Sequence, residues 1–140
     1  MQKMMGLDYG RKRIGIAISD ALGMCAHPRD YINNDSQAFP KILKLAQDEN
    51  ISLLVFGSPI KLSGERSLMQ DEIAHFMEKL SAKTDLKLIS WDERLTTAQA
   101  EKALLEHNVK RSKRKESRDS MAACILLQSY LDAQKNTPFL

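Results

Sequence analysis

The sequence contains few of the residues that define several common classes of protein. It has two cysteines and three histidines among 140 residues, and none of them lies at the spacing of a zinc site. No apolar run approaches the roughly 18 residues that a membrane span needs, and the N-terminal residues show no signal-peptide pattern. We therefore expect a cytoplasmic protein with reduced, buried cysteines and no contact with a membrane.

Aromatic residues are also scarce, at 6% of the chain. This scarcity argues against a platform on which nucleic acid bases stack one after another. There is no internal repeat, no low-complexity segment and no linker, and 140 residues suffice for one domain with its own core. We expect a single folded domain over residues 1–140.

The N-terminal stretch places one acid beside three cations. Two short apolar segments, residues 4–8 and 13–19, predict antiparallel strands joined by a tight turn at Gly10. Asp8 ends the first strand, and the basic run Arg11, Lys12 and Arg13 fills the turn. An acid beside cations and glycine backbone favours phosphate chemistry.

The rest of the chain alternates between patterns of strand and helix. An irregular third strand is expected over 24–32, a fourth over 51–56 and a fifth over 86–91, with the fourth buried on both faces. Helices are expected over 38–50, 65–82 and 97–107, and a last one over 118–133, capped by Ser117, with its inward side formed by Met121, Ala122, Ile125, Leu126 and Tyr130. This order predicts an α/β fold in which a mixed five-stranded sheet carries helices on both faces.

Three acids from distant parts of the chain could meet at one edge of such a sheet. Asp8 ends the first strand, Glu93 follows the fifth, and Asp119 lies in the first turn of the last helix. Clustered carboxylates from distant parts of a chain are typical ligands of Mg²⁺ or Mn²⁺. Two such ions can activate water and stabilise the leaving oxygen of a phosphodiester. We therefore interpret the three acids as metal-binding and catalytic residues.

A dense basic segment could hold the flanking phosphates of a nucleic acid. Residues 110–118 contain six cations and one acid, a composition that often meets polyanions. The candidate phosphate-binding residues are Arg11, Lys12, Arg13, Lys61, Arg94, Lys110, Arg111, Lys113, Arg114 and Lys115.

Each of these signals has a simpler explanation when taken alone. Asp8 could be a turn aspartate, Glu93 could form a surface ion pair with Arg94, and Asp119 could merely stabilise a helix N-terminus. The basic segment could be a solvated loop. Only the joint placement of the acids favours a metal-dependent phosphodiesterase.

Three motifs, in order and at suitable spacing, resemble the YqgF family across essentially the whole chain. They are the segment from Asp8 to Asp20, the segment Trp91-Asp92-Glu93-Arg94-Leu95-Thr96-Thr97, and the segment Arg118-Asp119-Ser120-Met121-Ala122-Ala123. The resemblance implies a ribonuclease H-like fold, and it maps the family's acidic triad onto Asp8, Glu93 and Asp119. One loop, residues 57–64, departs from the family pattern at Lys61 and Ser63.

The resemblance also implies a substrate and a partner. It predicts hydrolysis of a ribosomal RNA precursor at the 5′ end of 16S rRNA, with the small-subunit precursor as a possible partner. Two alternatives stay open: a Holliday-junction resolvase acting on four-way DNA, and a ribosome assembly factor that binds nucleic acid without cutting. Actin-like ATPases and sugar kinases share a similar first turn, but they need two domains. A chain of 140 residues is too short to supply both. The sequence leaves the oligomeric state open.

Overall fold

The computed structural model describes residues 3–58, 67–92 and 116–135, with the backbone alone at 116–119. The five strands are β1 Lys3–Asp8, β2 Arg13–Ser19, β3 Ala26–Asn33, β4 Ile51–Ser58 and β5 Lys87–Asp92. The helices of this part of the chain are α1 Ala38–Asp48, α2 Leu68–Ser81 and α3 Glu116–Lys135. The helix expected over 97–107 lies outside the described residues. No helix among those described is both long enough and apolar enough to cross a membrane.

The strands form one mixed sheet in the order β3-β2-β1-β4-β5. The pairs β1–β2 and β2–β3 are antiparallel, whereas β4 runs parallel to both β1 and β5. The predicted hairpin, the parallel β4 and the mixed five-stranded sheet are confirmed. Because β1, β4 and β5 run in the same direction, their carboxyl ends lie at the same edge of the sheet. We call it the carboxyl edge.

The two faces of the sheet carry different helices because β2 alternates large and small residues. Ile14, Ile16 and Ile18 pack with α1 and α2 in the larger core cluster, and this side is the α1/α2 face. Ala17 belongs to a second cluster built around α3, which covers the α3 face. The small side chain of Ala17 lets α3 pack closely against this face.

Helix α3 buries a different side from the one expected. Ala123, Cys124, Leu127 and Leu131 are at most 2% exposed, whereas Ala122 is exposed. Of the residues expected to face inward, only Leu126 is fully buried. Apolar residues occupy every position from 121 to 127, so their spacing alone does not select a side. The small residues of the sheet select it: a Cβ placed on Gly6 would lie 2.8 Å from Leu127 Cβ and 3.0 Å from the Ala123 carbonyl oxygen.

Three smaller expectations also need correction. Helix α3 includes Ser117, which was expected to precede it. Helix α2 begins at Leu68 rather than at residue 65, because Ser67 and Gln70 form a capping box in which each side chain accepts the other's backbone N–H. Cys25 is exposed, whereas Cys124 is buried as expected.

The third strand is an edge strand, as its proline suggested. Strand β3 pairs only with β2 in the described sheet, at its outer side, and Pro28 lies within it. An edge position tolerates the missing backbone donor of proline.

Glu49 ties β1 and β3 to the end of α1. Its carboxylate lies 3.1 Å from Lys3 Nζ and 2.6 Å from an Arg29 guanidinium nitrogen. The hydrogen bond from Lys3 lowers the pKa of Glu49; partial burial opposes this effect, and Arg29 adds to it. Since the folded pKa lies below the unfolded one, the stabilisation is present above the ordinary glutamate pKa of about 4.3 and is lost as pH falls through the folded pKa.

We expect Glu49→Gln to lower the free energy of unfolding at neutral pH by up to about 1 kcal/mol, because the ion pairs are partly exposed. The urea midpoints of the mutant and the parent should converge as pH falls through the lowered pKa of Glu49 and its carboxylate becomes protonated. The matched control is Glu78→Gln, at an exposed position of α2, which should leave the urea midpoint unchanged. A difference that persists unchanged at acid pH would contradict this account of Glu49.

Candidate active site

Asp8 lies at the carboxyl edge, on the face of the sheet that α3 covers. Met5 and Leu7 of the same strand belong to the α1/α2 face, while Gly6 lies against α3. Since successive side chains of a strand alternate between faces, Asp8 lies on the same face as Gly6. Asp8 is half-buried, and its strand partner Gly15 has no side chain to cover it. The carboxylate is thus held at the end of a strand, beside a neighbour that has no side chain.

The turn after Asp8 is tight, and Asn34, the residue after β3, holds it in place. A Cβ on Gly10 would lie 2.4 Å from the Arg13 carbonyl oxygen, so only glycine fits this conformation without a shift of backbone. Asn34 donates its side-chain N–H to the Gly10 carbonyl at 2.8 Å and its backbone N–H to the Lys12 carbonyl at 2.9 Å. These contacts hold the basic turn in one position relative to Asp8.

The three cations of the turn have different surroundings. Arg11 forms a bidentate ion pair with Glu72 of α2, with N–O distances of 2.9 and 3.1 Å. Hydrogen bonding to Glu72 raises the pKa of Arg11. Arg13 lies over the ring of Tyr31, 5.1 Å from its centroid, and Lys12 is exposed. Arg11 therefore reaches towards the α1/α2 face.

The end of the first motif, Ser19-Asp20, has a structural role that sequence reasoning missed. The buried Ser19 hydroxyl accepts the Met4 backbone N–H at 2.8 Å. Partial desolvation raises the pKa of Asp20, but hydrogen bonds from the Met24 and Cys25 N–H groups outweigh it, so the net pKa is lowered. Because β2 runs against β1, this turn lies at the edge opposite to Asp8. Asp20 directly after the strand, with Gly23 three residues later, is the sequence signal that marks this turn.

The other two acids approach the carboxyl edge from different elements. Asp92 ends β5 beside Ser58 of β4, and Glu93 is the next residue, outside the described part of the chain. Asp119 lies in α3, one turn before Ala123 and two turns before Leu127, and those two residues pack over Gly6. The Ser120 hydroxyl donates to the Arg29 carbonyl, whereas Gln128 accepts the Ala26 N–H nearer the opposite edge. The N-terminal end of α3, which carries residue 119, therefore points to the carboxyl edge.

The remaining candidate residues are not tested by the geometry. Within residues 3–58, 67–92 and 116–135, no three His, Cys, Asp or Glu side chains form a metal-binding group. The side chain of Asp119 and the whole of Glu93 lie outside the described part of the chain. The predicted phosphate-binding residues outside the described ranges are Lys61, Arg94, Lys110, Arg111, Lys113, Arg114 and Lys115.

The fold defines the class of protein. The structure of T. thermophilus RuvC in complex with a Holliday junction substrate aligns with this chain at a TM-score of 0.65, covering 98% of both chains. Only 11% of the aligned residues are identical, so the likeness concerns the fold alone, a ribonuclease H-like fold. The predicted ribonuclease H-like architecture is confirmed.

Sequence comparison then identifies the family. The model of the RuvX family, described as Holliday junction resolvase, matches residues 2–133. A protein of Endomicrobium trichonymphae named "Putative pre-16S rRNA nuclease" is 41% identical over 139 residues, covering 97% of this chain and 99% of its own. A protein of Sulfurihydrogenibium sp. with the same name is 41% identical over 134 residues, covering 94% and 91%. The chain belongs to the RuvX family, and the family resemblance inferred from its motifs is confirmed.

Proposed function

We propose that this protein is an endonuclease that hydrolyses phosphodiester bonds in a precursor of 16S rRNA. The chain is a member of a nuclease family. The relatives that align with it over nearly their full lengths are named as pre-16S rRNA nucleases. The observation that carries the proposal is the position of Asp8, at the carboxyl edge and on the face over which α3 packs. The proposal places this activity in the cytoplasm.

Asp8, Glu93 and Asp119 would hold one or two Mg²⁺ or Mn²⁺ ions. The donor chemistry fits, because all three residues supply carboxylate oxygens, the ligands that these ions prefer. The positions in the chain support this proposal: β1 ends at Asp8 and β5 ends one residue before Glu93, both at the carboxyl edge, and Asp119 lies in the first turn of α3. Bound ions would supply charge that lowers the pKa of an attacking water and stabilises the leaving oxygen.

The chain's own residues would orient the substrate against these acids. The turn held by Gly10 and Asn34 presents Lys12 and Arg13 at the carboxyl edge. Their charges, together with Arg94 and the basic segment over 110–118, would hold the phosphates that flank the scissile bond. Such recognition depends on the charge of the nucleic acid's phosphate backbone, so the affinity for RNA should fall steeply as salt concentration rises.

The direct test is cleavage of a 16S rRNA precursor that retains its 5′ leader. We expect Mg²⁺- or Mn²⁺-dependent production of the mature 5′ end, lost on addition of EDTA and restored by excess metal. A four-way DNA junction and a duplex RNA of equal length serve as competing substrates at fixed salt. Cleavage that persists in EDTA, or the absence of any cut in the precursor, would contradict the proposal.

A resolvase is the second candidate, because the matching family is described as Holliday junction resolvase and the fold is shared with RuvC. Resolution needs paired cuts on opposing strands and therefore a two-fold symmetric dimer. Preferential cutting of the junction by a dimeric protein would favour this candidate. If neither substrate is cut but precursor RNA is bound, the third possibility, an assembly factor without nuclease activity, would be favoured.

A further inference from the structure

A cavity of about 280 Å³ lies on the α1/α2 face, against the residue that follows Asp8. Its floor is aromatic: Tyr9, Phe39 and Phe76 line it. The Phe76 ring centroid lies 5.2 Å from that of Tyr9 and 4.8 Å from that of Phe39. Tyr9 and Phe39 are only partly buried, so a chain with few aromatic residues keeps part of two rings accessible in one cavity.

The rim of the cavity is polar and carries positive charge on one side. His75 and Lys79 line it from α2, where they are one helical turn apart and both exposed. Within the described part of the chain, Lys79 forms no ion pair. Two acids also line the cavity. Glu72 is paired with Arg11, and Asp35 accepts the Gln37 backbone N–H.

We propose that this cavity binds one nucleotide, with the base against the aromatic floor and the phosphate beside His75 and Lys79. The cavity lies at the small end of the range for ligand sites, about 300–1,000 Å³, which suits a single base better than a large cofactor. Base–aromatic stacking is tolerant of sequence, and the ammonium group of Lys79 and the imidazole of His75 can donate hydrogen bonds to phosphate. The nucleotide is either free or part of an RNA strand.

This site is separate from the candidate active site. Asp8 lies on the α3 face. The next residue, Tyr9, contacts Phe76 of α2 on the opposite face. The inference that the nucleotide belongs to a substrate strand rests on the proposed nuclease function; the nucleotide site itself does not. Its test therefore uses neither metal nor cleavage.

The experiment is an NMR titration of the full chain carrying Asp8→Asn, without divalent metal. The probes are the four nucleoside 5′-monophosphates, a 5′-phosphorylated RNA trinucleotide, and ribose 5-phosphate as the ligand without a base. We expect saturable shifts of the amide signals of Tyr9, His75 and Phe76, and much weaker binding of ribose 5-phosphate. Tighter binding of the trinucleotide would assign the site to a strand, and equal binding would assign it to the free nucleotide.

Two exposed substitutions on α2, Lys79→Ala and His75→Ala, test the phosphate contact with little risk to folding. Each should weaken nucleotide binding about fivefold or more, since a contact to a charged group contributes at least about 1 kcal/mol. Lys41→Ala, at an exposed position of α1 that does not line the cavity, removes the same charge and should leave affinity unchanged. Shifts confined to the α3 face, equal binding of ribose 5-phosphate, or no saturable shift would overturn the proposal. Nucleotide binding without precursor cleavage would instead contradict the nuclease function alone.

Discussion

Replacement of Asp8 by asparagine is expected to abolish precursor cleavage while leaving the fold intact. Asparagine has nearly the same size and keeps one carbonyl oxygen, but it lacks the negative charge that a divalent cation requires. We expect the cleavage rate to fall by roughly 10²–10³-fold or more, as for the loss of other preorganised charged groups in active sites. Single-turnover cleavage at saturating protein measures this effect separately from substrate binding.

The matched control for Asp8→Asn is Asp48→Asn. Asp48 is an exposed carboxylate at the end of α1, and its replacement makes the same change in charge and volume away from the carboxyl edge. The control should cleave at the parental rate. If Asp8→Asn also cleaves at the parental rate, while its circular dichroism spectrum and urea midpoint show a folded protein, Asp8 has no catalytic role.

Gly6→Ala should disturb both stability and catalysis, because Gly6 sets how closely α3 packs on β1. The added Cβ would meet Leu127 Cβ at 2.8 Å and the Ala123 carbonyl oxygen at 3.0 Å. Both atoms are fixed to the backbone of the helix, so the clash can be removed only if α3 moves away from the sheet. Overpacking of this kind costs about 1–3 kcal/mol. Because α3 also carries Asp119, the same movement should lower the cleavage rate at temperatures where the mutant is folded.

Gly23→Ala is the control that separates a loss of stability from a loss of cleavage rate. Gly23 has a φ of +69° and nothing within 4 Å of an added Cβ, so its replacement strains the backbone by about 1–2 kcal/mol without a steric clash. It lies in the turn after β2, at the edge opposite to Asp8. The urea midpoint should therefore fall, while cleavage by the folded protein stays at the parental rate. An equal loss of cleavage in the two mutants would show that stability alone explains the effect of Gly6→Ala.

The sheet could be predicted from the sequence because its strands are marked by local signals. The alternation of Ile14, Ile16 and Ile18 with small residues defines β2 and its two faces, and Gly10 marks the hairpin turn. The continuous apolar run after Asn50 indicates a strand buried on both faces, as observed for β4. These signals lie within single elements and need no knowledge of distant contacts.

The orientation of α3 could not be predicted in the same way. Its apolar residues cover more than one side, so the buried side depends on complementarity with Gly6 and Ala17 across the sheet. Likewise, Arg11 has the same charge as its neighbours in the turn, and only the tertiary structure brings it to Glu72. The place of Tyr9 in an aromatic cavity also depends on residues of α1 and α2 that are distant in sequence.

The acidic site was predictable in outline. The rule that sites form at the carboxyl ends of parallel strands selects Asp8 and Glu93 once β1 and β5 are recognised. Asp119 requires in addition the direction in which α3 crosses the sheet, which the contacts of Ser120 with Arg29 and of Gln128 with Ala26 supply. The roles of all three acids remain proposals.

The most direct test of the central claim is the anomalous diffraction of crystals grown with Mn²⁺. The account predicts at least one Mn²⁺ ion with an Asp8 carboxylate oxygen about 2.0–2.4 Å away, and with Glu93 and Asp119 among its other ligands. An anomalous peak elsewhere, or Asp8 without metal at Mn²⁺ concentrations that support cleavage, would contradict it.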